Sequence, residues 1–255
     1  MAALSNDLVL RDDANAIATL TLNRPDKSNA LSEGMIDALE ERIREVVADP
    51  SIRVIVLAAN GKNFCAGHDL AEMSSHDDKV YFETLFARCS RMMIAVRSCP
   101  RPVIAKVQGA AVAAGCQLVA TCDLAYAAET ARFGVSGINL GLFCSTPSVA
   151  LSRSVTRKEA LELLLTGNLI GAVRAAEIGL VNAAVPDSDL DAAVAEAART
   201  IATKVPDAIS LGKDLFYRQL EMNLPEAYAL AGERMAENMG YPATKDTINA
   251  FLRRD

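Results

Sequence analysis

Small residues crowd two places where an apolar strand pattern runs into a turn and then a helix pattern. The first is Asn63-Phe64-Cys65-Ala66-Gly67-His68-Asp69-Leu70, which follows the apolar run 52–58. The second begins with the strand pattern 102–107, breaks at Gln108-Gly109, and passes through Ala- and Gly-rich chain into a short helix near Gly115. A turn built from Gly and Ala lets a ligand come close to the backbone. The first N–H groups of a helix lack intrahelical acceptors and point toward negative charge. Two such turns converging on one oxygen would form an oxyanion hole. Tight packing of a helix on a sheet calls for the same small residues, so spacing alone leaves both readings open.

Other reactive side chains are sparse. The chain has two histidines, His68 and His76, which excludes a His-rich metal site, and no metal is expected. Its six cysteines form no Cys-x-x-Cys pair and are expected to be buried, reduced thiols. A Cys–His nucleophile pair would have to use one of those two histidines. Asp69 reads as a helix cap rather than a base, and Asp123 as a cap or an internal partner. Ser136, Cys144 and Ser145 lie in a long loop with no histidine close in sequence to activate them. Cys116, beside the second turn, is expected to be an inert buried thiol.

The elements that must hold these turns alternate. Strands are predicted over 7–11 and 16–22, around a turn at Asp12-Asp13-Ala14-Asn15. An amphipathic helix over 32–47 puts Met35, Ile36, Leu39, Ile43, Val46 and Val47 on one face. A fully apolar strand over 52–58 follows, then a helix over 79–97 with Val80, Leu85, Met92, Met93 and Val96 among its apolar positions. After the central strand come strands near 123–127 and 131–135, the loop 136–155, and helices over 156–165 and 171–178. A strand at 180–185 and a helix at 187–203 complete this part. Alternation of this kind implies an α/β core with crossover connections. Pro206, Pro225 and Pro242 each open a helical pattern, so the last fifty or so residues read as three short helices. Those helices have little core of their own and are expected to pack on a neighbour, either the rest of the chain or another subunit.

With 255 residues, 51% of them hydrophobic, the chain can bury a large core, and a formal net charge of −6 argues against nucleic acid or an anionic membrane as partner. No signal peptide is visible, and no apolar stretch reaches the roughly 20 residues that span a bilayer. A cytoplasmic protein is expected. Gly-x-Gly-x-x-Gly, P-loop and Gly-x-Ser-x-Gly motifs are absent.

Four stretches together resemble the enoyl-CoA hydratase/isomerase (crotonase) family over essentially the whole length. They are NRPDKSNALS at 23–32, NFCAGHDLAEM at 63–73, RPVIAKVQGAAVAAGCQLVATCDLAYAAETARFG at 101–134 and LLLTGNLIGAVRAAEIGLVNAAVP at 163–186. The segment GLFCSTP at 141–147 is similar to a narrower branch, that of enoyl-CoA hydratase domain-containing protein 3. The resemblance implies an α/β crotonase-like spiral of ββα repeats, here residues 1–200, carrying the acyl-CoA site. Residues 201–255 would be a C-terminal helical oligomerisation region giving homotrimers or hexamers. It implies an acyl-CoA thioester as ligand, with coenzyme A entering as part of the substrate and no separate cofactor. The two oxyanion donors carry over to the backbone amides of His68 and Ala114, and loss of one donor in such holes costs about 3–4 kcal/mol. Ala66, His68, Asp69, Leu70 and Ala114 would line the thioester site. Arg24 and Lys27, with Arg253 and Arg254 from the C-terminus, are candidate contacts to the nucleotide phosphates. Ala71 replaces a lysine often found in the first donor motif.

The family's two acid/base glutamates are missing. Their positions hold Gln117 and Gly137. An amide can hold water but cannot take its proton, and glycine can do neither. General acid–base groups contribute roughly 10²–10⁴-fold each, so ordinary hydration is expected to be nearly lost. The alternatives are a non-catalytic acyl-CoA-binding or carrier protein, or an enolate-forming reaction of the decarboxylase or thioesterase type.

Overall fold

The computed structural model describes residues 8–253; Asp7 of the expected first strand and Arg254 lie outside the described residues. In chain order the strands are β1 (Val9–Ala14), β2 (Ile17–Leu22), β3 (Val54–Ala59), β4 (Val103–Val107), β5 (Ala110–Val112), β6 (Leu124–Ala128), β7 (Arg132–Gly134), β8 (Ile170–Gly171) and β9 (Ala183–Val185). The helices that position the site are α1 (Glu33–Ala48), α2 (Leu70–Ser74), α3 (Lys79–Ser98), α4 (Ala114–Thr121) and α5 (Ser145–Ser154). Beyond them run α6 (Arg157–Thr166), α7 (Ala172–Glu177), α8 (Leu190–Ala202), α9 (Pro206–Gln219), α10 (Leu224–Gly240) and α11 (Pro242–Leu252).

β1 and β2 form an antiparallel hairpin, and Ala14 faces Ile17 across the two-residue turn Asn15-Ala16. Both turn residues have positive φ, 53° and 63°, the mirror-image turn whose twist matches a hairpin. The turn therefore lies beyond the expected position, and Asp12 and Asp13 belong to β1. An edge strand tolerates these exposed acids, and Arg11 pairs with Asp13 at 2.7 Å and Asp49 at 2.9 Å.

From β2 the sheet continues in parallel through β3, β4, β6 and β9. β3 is apolar throughout because each of its faces meets a separate core. Ile55 and Leu57 join the large cluster with α1 and α3, whereas Val54 and Val56 pack with Leu190, Val194 and Ala198 of α8. A second small sheet, β5-β7-β8, lies under the second turn.

The Ser32 hydroxyl caps α1 by accepting the Met35 N–H at 3.2 Å. Met35, Ile36, Leu39, Ile43 and Val46 are buried as expected, but Val47 is exposed. On α3 Leu85, Met92, Met93 and Val96 are buried, whereas Val80, in the first turn beyond the packed segment, is exposed. The last expected strand is shorter than its apolar pattern. Leu180 instead closes α7, its N–H reaching the Ala175 carbonyl at 2.9 Å, with Gly179 at φ 81°. Among the described residues no helix is long and apolar enough to cross a membrane.

Candidate functional site

The two small-residue turns meet. Cys65 donates its N–H to Ala110 O at 3.0 Å and accepts the Val112 N–H at 2.9 Å, which ties the first turn to β5. On its other side Leu31 donates to Gly67 O at 2.8 Å and accepts from Asp69 at 3.3 Å. That pairing skips the His68 N–H, which points away from Leu31. Ala114 is the first residue of α4, so its N–H has no intrahelical acceptor. Neither amide has an acceptor among the described residues.

Two glycines permit this approach. A Cβ on Gly115 would lie 2.1 Å from Cys65 O, and one on Gly67 would lie 2.8 Å from Ala113 Cβ and 3.2 Å from Ala114 N. Ala113, the N-cap of α4, takes φ 50° and ψ −120°, a conformation L side chains rarely adopt. Strain of that kind costs about 1–3 kcal/mol and persists only where the surroundings hold it. Here Ala113 N–H donates to Gly134 O at 2.8 Å, and Ala113 O accepts the Gln117 N–H at 3.0 Å.

A cavity of about 250 Å³ opens at the junction, and Ala66, His68, Leu70 and Ala114 all border it. Asp69, placed in the same group by sequence, does not. The remaining walls are mostly apolar, from Met73 of α2, Phe86 of α3, and Leu140, Leu142, Phe143 and Pro147 around the loop before α5. Leu70, Leu140, Leu142 and Phe143 leave large parts of their side chains exposed at its rim. Sequence reasoning marked this loop as one that builds a site but singled out its Ser and Cys residues rather than these walls. Their signal was the apolar run Leu140 to Phe143.

Among the described residues, His68 alone brings an imidazole to this cavity. Its ring stands edge-on to Phe86, centroids 5.5 Å apart, and both ring nitrogens are buried without a hydrogen-bond partner. Burial pushes the imidazole below its ordinary pKa, against a smaller opposing pull from the Leu31 backbone. The ring is therefore neutral at pH 7. Cys144 also borders the cavity, and burial pushes its thiol up, away from thiolate. No carboxylate among the described residues lines it.

Gly137 borders the cavity but has no room for a side chain. A Cβ there would lie 2.6 Å from Leu142 O and 2.8 Å from Cys144 Sγ, because Leu142 N–H closes back onto Gly137 O at 3.0 Å. Gln117 is 4% exposed and borders a different chamber, of about 180 Å³, between α3, α4 and α5.

Asp69 caps α2, accepting the Ala71 N–H at 3.0 Å and the Glu72 N–H at 3.2 Å. Its second oxygen accepts Arg24 Nη1 at 2.7 Å. Burial opposes ionisation of Asp69, but the Arg24 bond and charge and the two cap amides prevail and hold its carboxyl below the usual range. Asp69 is a cap, as expected, and Arg24 is held by it at the edge of the first turn. Lys27 is exposed on the neighbouring turn, and Arg253 is exposed at the end of the described chain. Asn29 clamps this motif: it is fully buried, accepts the Arg24 N–H at 2.8 Å and donates to the Asn60 and Asn63 carbonyls, both at 2.9 Å.

Asp123 is an internal partner, as expected. Its carboxylate accepts Val103 N–H at 2.7 Å, Lys213 Nζ at 2.6 Å and Tyr217 O–H at 2.8 Å, fastening α9 to the sheet. Two larger cavities, about 650 and 770 Å³, lie around this fastening and include neither His68 nor Ala114.

Comparison with known proteins agrees with this fold. The enoyl-CoA hydratase/isomerase family model matches residues 12–254. Enoyl-CoA hydratase domain-containing protein 3, mitochondrial, of Homo sapiens is 42% identical over 240 residues, covering 94% of this chain and 79% of that protein. The Xenopus laevis protein of the same name is 41% identical, covering 97% and 84%. Among solved structures, an enoyl-CoA hydratase of Mycobacterium smegmatis superposes with a TM-score of 0.96 at 52% identity, covering 98% of this chain and 97% of that one. Human enoyl-CoA hydratase domain-containing protein 3 superposes with a TM-score of 0.94 at 40% identity, covering 97% and 98%. The expected crotonase-like fold and the narrower resemblance both hold. The expected cytoplasmic location is corrected: the relatives of that name are mitochondrial proteins, and the expectation rested on a missing leader signal rather than on any positive mark.

Proposed function

The chain belongs to the enoyl-CoA hydratase/isomerase family, and from that premise we propose that it binds an acyl-CoA thioester while having little ordinary hydratase activity. The thioester carbonyl would sit between the His68 and Ala114 amides, with the acyl chain in the apolar cavity they border. One observation supports the reading: His68 and Ala114, whose backbone N–H groups lack acceptors among the described residues, border a cavity to which the described residues bring no carboxylate. Paired donors stabilise charge developing on a thioester oxygen. Hydration also needs a group that takes a proton from water and another that protonates C2. At the two family positions stand an amide and a glycine, and Gly137 has no space for a replacement.

Among reactions, those that form an enolate without removing a proton fit best, because the described residues bring to the cavity no carboxylate, only the buried imidazole of His68 and a thiol held away from thiolate. Loss of carbon dioxide from an acyl-CoA carrying a carboxylate is of that type, and thioester hydrolysis shares the same oxyanion requirement. An acyl-CoA carrier without turnover needs the same cavity and donors. The assembled form we propose is a trimer or a pair of trimers, with residues 1–200 as the acyl-CoA-binding core and 201–255 as the contact region.

The deciding measurement is hydration of crotonyl-CoA, followed by loss of the conjugated-thioester absorbance at several protein concentrations. The expected rate equals that of buffer, while crotonyl-CoA still binds in the micromolar range. Turnover proportional to protein would refute the loss of hydration, and no binding of any CoA thioester would refute the site.

A further inference from the structure

The cavity beside His68 and Ala114 holds about 250 Å³. A dry cavity of about 150 Å³ takes up benzene, so this one seats roughly ten carbon-sized atoms, those of the thioester group among them. A longer acyl chain fills it and has to leave across the mouth.

That mouth is apolar where water meets it. Leu140 is 70% exposed, Leu70 54%, Leu142 48% and Phe143 40%, yet all four also border the cavity. Side chains of this size left in water forfeit the stabilisation of burial, and contiguous apolar patches mark ligand grooves or contact surfaces. Three of the four sit on a built turn. Gly141 N–H donates to Ile138 O at 3.0 Å and Leu142 N–H to Gly137 O at 3.0 Å, with Gly141 at φ 78° between the two leucines. A Cβ on Gly141 would meet nothing within 4 Å, so the turn stands clear of the rest of the chain. The surface is therefore formed before any ligand arrives. Charge is missing along the same path. No Lys, Arg, Asp or Glu among the described residues borders the cavity, so an ionised chain end finds no counter-charge there.

We propose that the acyl-CoA taken by this protein has a plain hydrocarbon chain of more than about ten carbons, which leaves the cavity and lies on Leu70, Leu140, Leu142 and Phe143. This rests on the thioester reading above and names its substrate class. Continuity selects the acyl chain as occupant, because the same four side chains line the cavity and form its exposed rim. A chain that fills the one runs onto the other. A second copy of the protein seated on the rim is the competing occupant.

The test is calorimetric binding of saturated thioesters from butyryl-CoA to tetradecanoyl-CoA, each kept below its micelle concentration. Affinity is expected to go on rising beyond octanoyl-CoA, by about fourfold for each added pair of methylenes half-covered by the rim. The double variant Leu140→Gln, Phe143→Gln should bring the ratio of dodecanoyl-CoA to octanoyl-CoA affinity from about tenfold to near one. A plateau beyond octanoyl-CoA in the wild type overturns this inference and leaves the thioester site standing. A ratio that survives in the double variant does the same. A double variant that sediments as a smaller assembly than the wild type would assign the rim to a subunit contact and overturn the inference as well. If no CoA ester binds, both readings fall. Should the double variant fail to fold, Leu140→Gln alone, at the most exposed of the four positions, supplies the second arm.

Discussion

At the level of single residues, the site depends on backbone and so is insensitive to some side chains and very sensitive to others. Ala113 is the clearest case. Its φ of 50° and ψ of −120° suit glycine, so Ala113→Gly should remove strain of about 1–3 kcal/mol and give back about 0.5–1 kcal/mol in chain entropy. A net gain in unfolding free energy, read by urea denaturation, is the expected result; a loss would show that the Ala113 methyl contributes more by packing than it costs. His68 makes the opposite kind of prediction. Burial holds its pKa below the ordinary 6.5, so the unfolded chain binds the proton more readily than the native one. Stability therefore falls as pH drops through the window between 6.5 and the lowered value. His68→Leu should flatten that part of the profile between about pH 7.5 and about pH 5 when the two denaturation series are compared. An unchanged slope would mean that the ring is not held neutral. Much at this scale was legible in the sequence: the cap role of Asp69 and the internal role of Asp123 followed from residue type and position. The strain at Ala113 was not legible, because alanine carries no mark of a left-handed turn. The direction of Gln117 was hidden for a related reason, since a helix position fixes the residue but not which of two adjoining cavities its side chain borders.

At the level of elements, what matters is how closely the turn after β3 approaches the N-terminus of α4. Gly115 sets that distance: its missing Cβ would fall 2.1 Å from Cys65 O, a backbone atom that cannot move without breaking the Cys65–Ala111 bridge. Gly115→Ala should therefore cost about 1–3 kcal/mol of stability and also spread the two amides. The discriminating readout is affinity for crotonyl-CoA in folded variant protein. A substantial loss supports paired donors, and wild-type affinity would place the carbonyl elsewhere. The Gly137 loop is the counterpart. Its collision with Leu142 O and Cys144 Sγ means that Gly137→Glu should displace the loop rather than restore hydration, so crotonyl-CoA turnover should stay at the buffer rate. The long strands and helices could be read from periodicity because β3 and β4 are buried and α1 and α3 each carry an apolar face, whereas the short elements β5, β8 and α2 have too few residues to show a repeat. The loop 136–144 could not, since its course is fixed by contacts between residues several positions apart with no repeat to betray them.

For the whole molecule, the last three helices pose an imbalance that a single chain does not resolve. α9 is fastened to the core through Asp123, Lys213 and Tyr217, but among the described residues of α9 to α11 only Ala227 is buried. Phe216, Leu224, Tyr228, Met235, Phe251 and Leu252 are each more than half exposed. The sequence foretold this much, because three short helices have little core of their own and must pack on a neighbour. Exposed apolar surface of this extent is a mark of contact with another chain. Covering it in a symmetric assembly would couple folding to association, so the unfolding midpoint should rise with protein concentration. The double variant Tyr228→Glu, Met235→Glu puts two carboxylates on the surface that a second copy would have to desolvate, and such unpaired charges cost several kcal/mol each. Sedimentation velocity should then show the wild type as a trimer or larger and the variant as a monomer whose midpoint no longer depends on concentration. A wild-type protein that sediments as a monomer at every concentration would leave these side chains without a partner and overturn the proposed assembly.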